Sequence, residues 1–276
     1  MSNEPSDTRA RIILSVLVFW VGYVGLTLLV GFVTSTVIHS EVWQLVAWGF
    51  LSSAGLLFLS QFMTPKSERS RTNVTAPKQP SSLLGLFLGL LVGITAFGVH
   101  VAIVRFFGGP IRFEWVPEVG ATVALIYFVR FLATSCMEEI GFRGFALHRL
   151  IESVGVTASL IITTVAFGLS HLLYGWDLQT IALGVFPGGL VWGMSAIATR
   201  GLAVPIGLHA AWNFASWTVG SRAETGPLRM IVADGAQESS RAVGTVSYIA
   251  VSGALTAIFW LVYRRNQRLA ATAPAT

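Results

Sequence analysis

Long apolar runs broken by short polar segments organise this chain. A membrane-spanning helix needs about 20 mostly apolar residues. Eight stretches qualify, at approximately 12–37, 42–63, 83–107, 120–137, 155–175, 179–199, 202–220 and 244–263. The pattern predicts an all-α, polytopic membrane bundle of about eight transmembrane helices. The first run follows Arg9 and Arg11 and stays uncharged as far as Glu41. A signal-peptide core has only about 7–15 apolar residues, so this run is expected as a retained span. Composition agrees: of 276 residues 54% are hydrophobic and 11% charged, against roughly 25% charged in a soluble domain. That excludes a disordered chain, a nucleic-acid module and an ordinary cytosolic enzyme. The net charge of +5 does not point to DNA, because the basic residues sit between apolar runs rather than in a patch. Cys136 is the single cysteine, so no internal disulfide forms.

An even number of spans puts both termini on one side, and the positive-inside rule chooses which. The terminal side collects Arg9, Arg11, Lys66, Arg69, Arg71, Lys78, Arg143, Arg149, Arg200, Arg264, Arg265 and Arg268. The opposite side collects only Arg105, Arg112, Arg222, Arg229 and Arg241, with Arg130 inside a span. The expectation is N-in and C-in, in the plasma (cytoplasmic) membrane. The polar, basic loop from Thr64 to Ser82 carries Pro65, Pro77 and Pro80 and reads as a linker. It divides a two-helix region with its loop, 1–82, from a six-helix region, 83–276. Asn73-Val74-Thr75 in that loop matches a glycosylation acceptor but falls on the inner side. Gly85, Gly89 and Gly93, and likewise Gly184 with Gly188 and Gly189 with Gly193, repeat every four residues. Such faces let helices approach closely, here expected within one chain.

Ionisable groups inside spans are costly and mark functional sites by default. They cluster in the second half of the chain. The first cluster is Glu138-Glu139-Ile140-Gly141-Phe142-Arg143, continuing directly from the fourth run. Glu139 and Arg143 stand at i,i+4 and can pair, whereas Glu138 is turned about 100° away and is left for chemistry. The second is Phe167-Gly168-Leu169-Ser170-His171, late in the fifth span. The third places His209 and Asn213 on one face of the seventh, one turn apart. Counting rises along the helices puts Glu138 and His171 in one layer, with His209 lower unless the seventh helix starts higher.

A carboxylate and an imidazole meeting over one water can take its proton as it attacks a carbonyl. A second imidazole and an amide N–H can hold the resulting oxyanion. The alternative makes His171, His209 and Glu138 ligands of Zn²⁺, with water in the fourth position. Asn213 favours the version without metal, because amides are poor zinc ligands and good donors. There is no His-Glu-x-x-His helix, and Gly168-Leu169-Ser170-His171 does not complete a Gly-x-Ser-x-Gly elbow.

Glu138-Glu139-x-x-x-Arg143, Phe167-x-x-x-His171 and His209-x-x-x-Asn213 stand in order on separate helices. In this the chain resembles the CAAX-protease and bacteriocin-processing (CPBP, or Abi) family of intramembrane endopeptidases, which includes the type II CAAX prenyl proteases. The resemblance covers about residues 120–218. It implies that Glu138 and His171 activate water, that His209 and Asn213 hold the oxyanion, and that Glu139 and Arg143 support them. The family has been described both as metalloproteases and as glutamate-dependent proteases, so zinc stays open beside a reading that requires no cofactor. The implied partners are the lipid bilayer and a membrane-associated peptide or protein, prenylated or bacteriocin-related, and no nucleic acid. Oligomeric state is not legible.

Other polar residues are expected to be structural. Arg130, two turns before Glu138, should be held in a buried pair, and His100 should be a packed, hydrogen-bonded residue. Glu152 should be a solvated helix end and Ser170 a packing residue. Pro187-Gly188-Gly189 should kink the sixth span, and the outer loop Ser221–Ala242 should be mobile. Two further readings compete with a protease. One is a transporter using the intramembrane cluster, which would be expected to show matched broken helices. The other is a non-catalytic binding or immunity protein.

Overall fold

The computed structural model describes residues 4–64, 82–222 and 224–272. The linker Thr64–Ser82 therefore falls, apart from its two end residues, outside the described residues, together with Asn73-Val74-Thr75 and its prolines. The chain runs through α1 (Glu4–Val37), α2 (Glu41–Met63), α3 (Ser82–Phe107), β1 (Ile111–Trp115) and α4 (Ala121–Glu139). A π-helical turn, Ile140–Gly144, joins α4 to α5 (Phe145–Val154), and Gly155 at φ +79° ends that long rod. α6 (Val156–Ser170) closes with a 3₁₀ turn, His171–Tyr174. A short turn at Leu178–Thr180 and a second π turn at Ile181–Val185 lead into α7 (Phe186–Thr199). Then come α8 (Ala203–Thr218), β2 (Leu228–Val232) and α9 (Gln237–Thr272).

Seven helical stretches among the described residues are long and apolar enough to cross a bilayer, rather than the eight expected. The shortfall is the seventh run. It forms a helix, α8, of 16 residues, about 24 Å long against a hydrocarbon core of about 30 Å. Inside the bundle α8 needs no lipid-matching length. α3, α4 and α7 pack on it, and Leu208, Ala210 and Ala211 are fully or almost fully buried.

Small residues set the closest approaches. Gly85 faces Ala203, Gly89 faces the backbone of Val204 and Gly207, and Gly93 faces Leu208 and Ala211. The three-glycine stripe therefore packs within the chain, on α8, as the small-residue spacing implied. The rising pairs also make α3 and α8 parallel. The partners Gly22–Leu59, Gly55–Leu26 and Gly31–Trp48 make α1 and α2 antiparallel. Gly193–Leu160 and Gly189–Thr164 do the same for α6 and α7.

β1 and β2 form a two-stranded antiparallel sheet, with Ile111 opposite Val232 and Trp115 opposite Leu228. This corrects the expectation of a mobile loop over Ser221–Ala242. Leu228–Val232 is mostly apolar and finds a strand partner in Ile111–Trp115, where backbone groups of both segments are satisfied. The sheet also fixes the connections α3–α4 and α8–α9 on one face of the bundle. Helix direction alternates along the chain, so the two ends of the described chain lie on the opposite face. One apolar core unites Val16, Phe19 and Tyr23 of α1 and Leu56 of α2 with Met137, Phe142, Leu147, Phe167, Trp192 and Leu208.

Candidate active site

The two π turns frame the polar cluster. A π turn interrupts the regular i→i−4 ladder and recurs at functional sites. In the first, Gly141 lies so close to the Tyr23 ring that a β-carbon would meet it at 2.6 Å, and its carbonyl accepts from Trp20 Nε1 at 3.3 Å. The second immediately precedes Pro187-Gly188-Gly189, so the irregularity expected in the sixth span is a π turn followed by proline in the first turn of α7.

Glu139 and Arg143 are both fully buried and pair at 3.5 Å between Oε2 and Nε. Arg143 also donates through Nη2 to the Gly189 carbonyl at 3.1 Å, and its guanidinium lies 4.2 Å from the centre of the Phe167 ring. Phe167 thus supplies a cation–π face beneath a charge that lipid would not tolerate bare. The edge-on rings of His171 and His209 approach the same phenyl, with centroids 4.8 and 6.2 Å away.

His209 stands between the two glutamates. Its Nδ1 lies 2.9 Å from Glu139 Oε1 and its Nε2 lies 3.5 Å from Glu138 Oε2. An ionised carboxylate only accepts, so the Nδ1 position carries the proton and Nε2 is the edge presented to Glu138. Trp192 stacks on the imidazole at 5.0 Å and 16°, which locks the ring plane. These contacts put His209 at the level of Glu138 and Glu139 rather than below them.

His171 is buried, and its Nδ1 faces the Phe167 carbonyl at 2.9 Å. A carbonyl accepts only, so Nδ1 holds the hydrogen and Nε2 is left with a lone pair. Asn213 accepts from Arg222 at Oδ1, at 2.5 Å. Its Nδ2 is thereby left to donate elsewhere.

Glu138, His171, His209 and Asn213 all line one cavity of about 760 Å³. Glu139 and Arg143 stand behind its wall. The cavity draws on the ends of helices at the β-sheet face and includes residues that the sequence did not single out: Tyr174, Trp176, Trp192, Trp212, Arg222 and Arg241. An arginine nine residues beyond Asn213, just past a helix end, was a readable signal. The aromatic residues were not distinguishable from packing. Arg130 lines the cavity too and pairs with Glu224 at 2.7 Å, so the buried pair expected for it is formed with the outer segment. Burial opposes the charge of Glu224, but the hydrogen bond and charge of Arg130 outweigh it and hold the carboxyl below its ordinary value. His100 receives or donates a 2.8 Å hydrogen bond with Ser247, and Ser170 donates to the Phe167 carbonyl. Glu152 pairs with Arg149 on the helix exterior.

Among the described residues no three His, Cys, Asp or Glu side chains converge as a metal set. His209 and His171 engage Nδ1 with Glu139 and the Phe167 carbonyl respectively, which leaves each Nε2 as the ring edge available at the cavity.

Residues 120–215 match the family model of the type II CAAX prenyl endopeptidase Rce1-like proteins. No curated protein and no solved structure matches the chain. The Rce1-like segment runs from the start of α4 to just beyond Asn213, so it contains all six residues singled out above. Together with seven apolar helices of spanning length among the described residues, it supports an integral, multi-pass membrane protein with a segment similar to the Rce1-like family. Arg222 and the β2 strand lie beyond the Rce1-like segment.

Proposed function

We propose that the protein is an intramembrane endopeptidase of the glutamate type, hydrolysing a membrane-associated peptide in this cavity. The observation that carries the reading is the chain of contacts Glu139–His209–Glu138, backed by a buried Arg143 and facing a cavity that His171 also lines. In the proposed reaction Glu138 takes a proton from water while the lone pair of His171 Nε2 holds the other hydrogen. The oxygen adds to the scissile carbonyl. Asn213 Nδ2 donates to the oxyanion, and His209, charged against buried Glu139 and stacked on Trp192, donates through Nε2. The proton held by Glu138 then passes to the departing amine nitrogen, completing hydrolysis. Removing one oxyanion donor from such a site costs about 10²–10³ in turnover. No step uses a metal ion.

The test is cleavage of a peptide library, prenylated CAAX peptides included, by purified protein in detergent, with and without chelator. Cleavage indifferent to chelator is expected. Loss on chelation with recovery on zinc addition would refute the glutamate mechanism, and failure to cleave any peptide would refute the peptidase reading.

We also propose the N-in, C-in orientation. The cavity then opens away from the basic face, and its substrate is presented outside the cytoplasm. In a Cys136→Ser background, Glu118→Cys should react with a membrane-impermeant maleimide on intact cells, and Gln267→Cys should react only after lysis. The reverse pattern would invert the orientation.

A further inference from the structure

Beyond the catalytic residues, the cavity carries an uneven charge. Its lining includes three arginines, Arg130, Arg222 and Arg241, and a single carboxylate, Glu138. Arg130 is already tied to Glu224. Among the described residues Arg222 forms no salt bridge of its own: one of its terminal nitrogens donates to the neutral Asn213, its buried Nε has no hydrogen-bond partner, and the nearby charge of Glu224 is already bonded to Arg130. The two guanidiniums flank the same ring, with Arg130 5.0 Å and Arg222 5.2 Å from the centre of Phe131. One acid thus serves two neighbouring cations. A buried charge that must share its acid is expensive, and burial pushes the Arg222 guanidinium below its ordinary value against the opposing pull of Glu224. Guanidinium is also the side chain whose planar fork best fits a carboxylate.

We propose that Arg222, with Arg130 beside it and Arg241 at the rim, forms an anion subsite that takes a carboxylate of the bound peptide. The proposal rests on the peptidase reading for the identity of the ligand. The carboxylate has two possible sources, the free C-terminus of the peptide or an acidic side chain within it. In either case the subsite anchors the chain beside Asn213. The same guanidinium holds the Asn213 amide, so substrate anchoring and oxyanion donation are joined through one residue. Arg222 is in this sense both a binding residue and a positioning residue.

The experiment uses the full chain in nanodiscs, carrying Glu138→Gln so that binding is read without turnover. Three matched peptides are titrated against the fluorescence of the cavity tryptophans: a free acid, its C-terminal amide, and the amide with an internal Glu in place of Gln. A hydrogen-bonded charge pair predicts about tenfold tighter binding of a carboxylate-bearing peptide than of the neutral amide. Which of the two acids gains identifies the source. Arg222→Gln should abolish the preference, and Arg241→Gln, at the exposed rim, should reduce it if the first variant does not fold. Equal affinity for all three peptides would overturn the proposal. So would a preference that survives both substitutions, or competition by anionic phospholipid with no difference among the peptides. Cleavage by the unmodified protein is measured separately. A carboxylate preference without cleavage leaves the subsite standing and removes the peptidase reading, and cleavage without preference does the opposite.

Discussion

Glu138→Gln is expected to lower kcat by about 10³–10⁴-fold, at the upper end of what one acid–base group contributes, with thermal unfolding unchanged. Glutamine keeps the volume and a hydrogen-bonding oxygen but cannot accept a proton from water. The neighbouring carboxylate cannot replace it. Glu139 is fully buried, with one oxygen on His209 and the other toward Arg143, whereas Glu138 reaches the cavity with its side chain 16% exposed. Glu138 also meets His209 at 3.5 Å without a second tether of this kind, so its removal leaves the Glu139–Arg143 support intact. Turnover of a cleaved peptide and the unfolding temperature are measured on the same preparation. A variant that retains most of its turnover would move the general base away from Glu138. A variant that loses turnover together with its fold would make Glu138 structural.

The same geometry shows what the sequence could and could not carry. Period and spacing suffice for Glu139–Arg143, because i,i+4 neighbours on a helix must face each other. They also suffice for the intrachain packing of Gly85, Gly89 and Gly93, since a small-residue stripe has to meet some backbone. What spacing cannot give is the meeting of different helices. Spacing puts His209 one turn from Asn213 and says nothing of its neighbours on other helices; the structure sets it directly between the two glutamates, and only tertiary packing decides that. Arg222 was placed in a loop expected to be mobile. Its position depends on β2 pairing with β1 across more than a hundred residues of chain, and a five-residue strand leaves little periodicity to read. The 16-residue α8 shows the limit of hydropathy: an apolar run signals burial, and whether lipid or protein buries it is a tertiary fact.

Arg143→Met is expected to be the most damaging change outside the cavity, because it removes the cation that balances Glu139 where both side chains are fully buried. Breaking a buried pair from one side costs about 3–5 kcal/mol. The lower end applies here, since the His209 Nδ1–H still faces Glu139. The Gly189 carbonyl loses its donor, and the Phe167 face loses its charge. Without Arg143, Glu139 loses the contact that fixes its carboxylate against His209, so turnover should fall even in the fraction that stays folded. Removing both charges discriminates between a charge effect and a packing effect. Glu139→Gln combined with Arg143→Met leaves no uncompensated ion and nearly the same volume, and replacing a buried pair by neutral groups is often close to neutral for stability. The double variant should therefore unfold at a higher temperature than Arg143→Met alone while remaining inactive, because a neutral amide cannot hold a charged His209. If the double variant is the less stable of the two, the pair acts through shape rather than charge. If it is active, the contact with Glu139 is not part of the reaction.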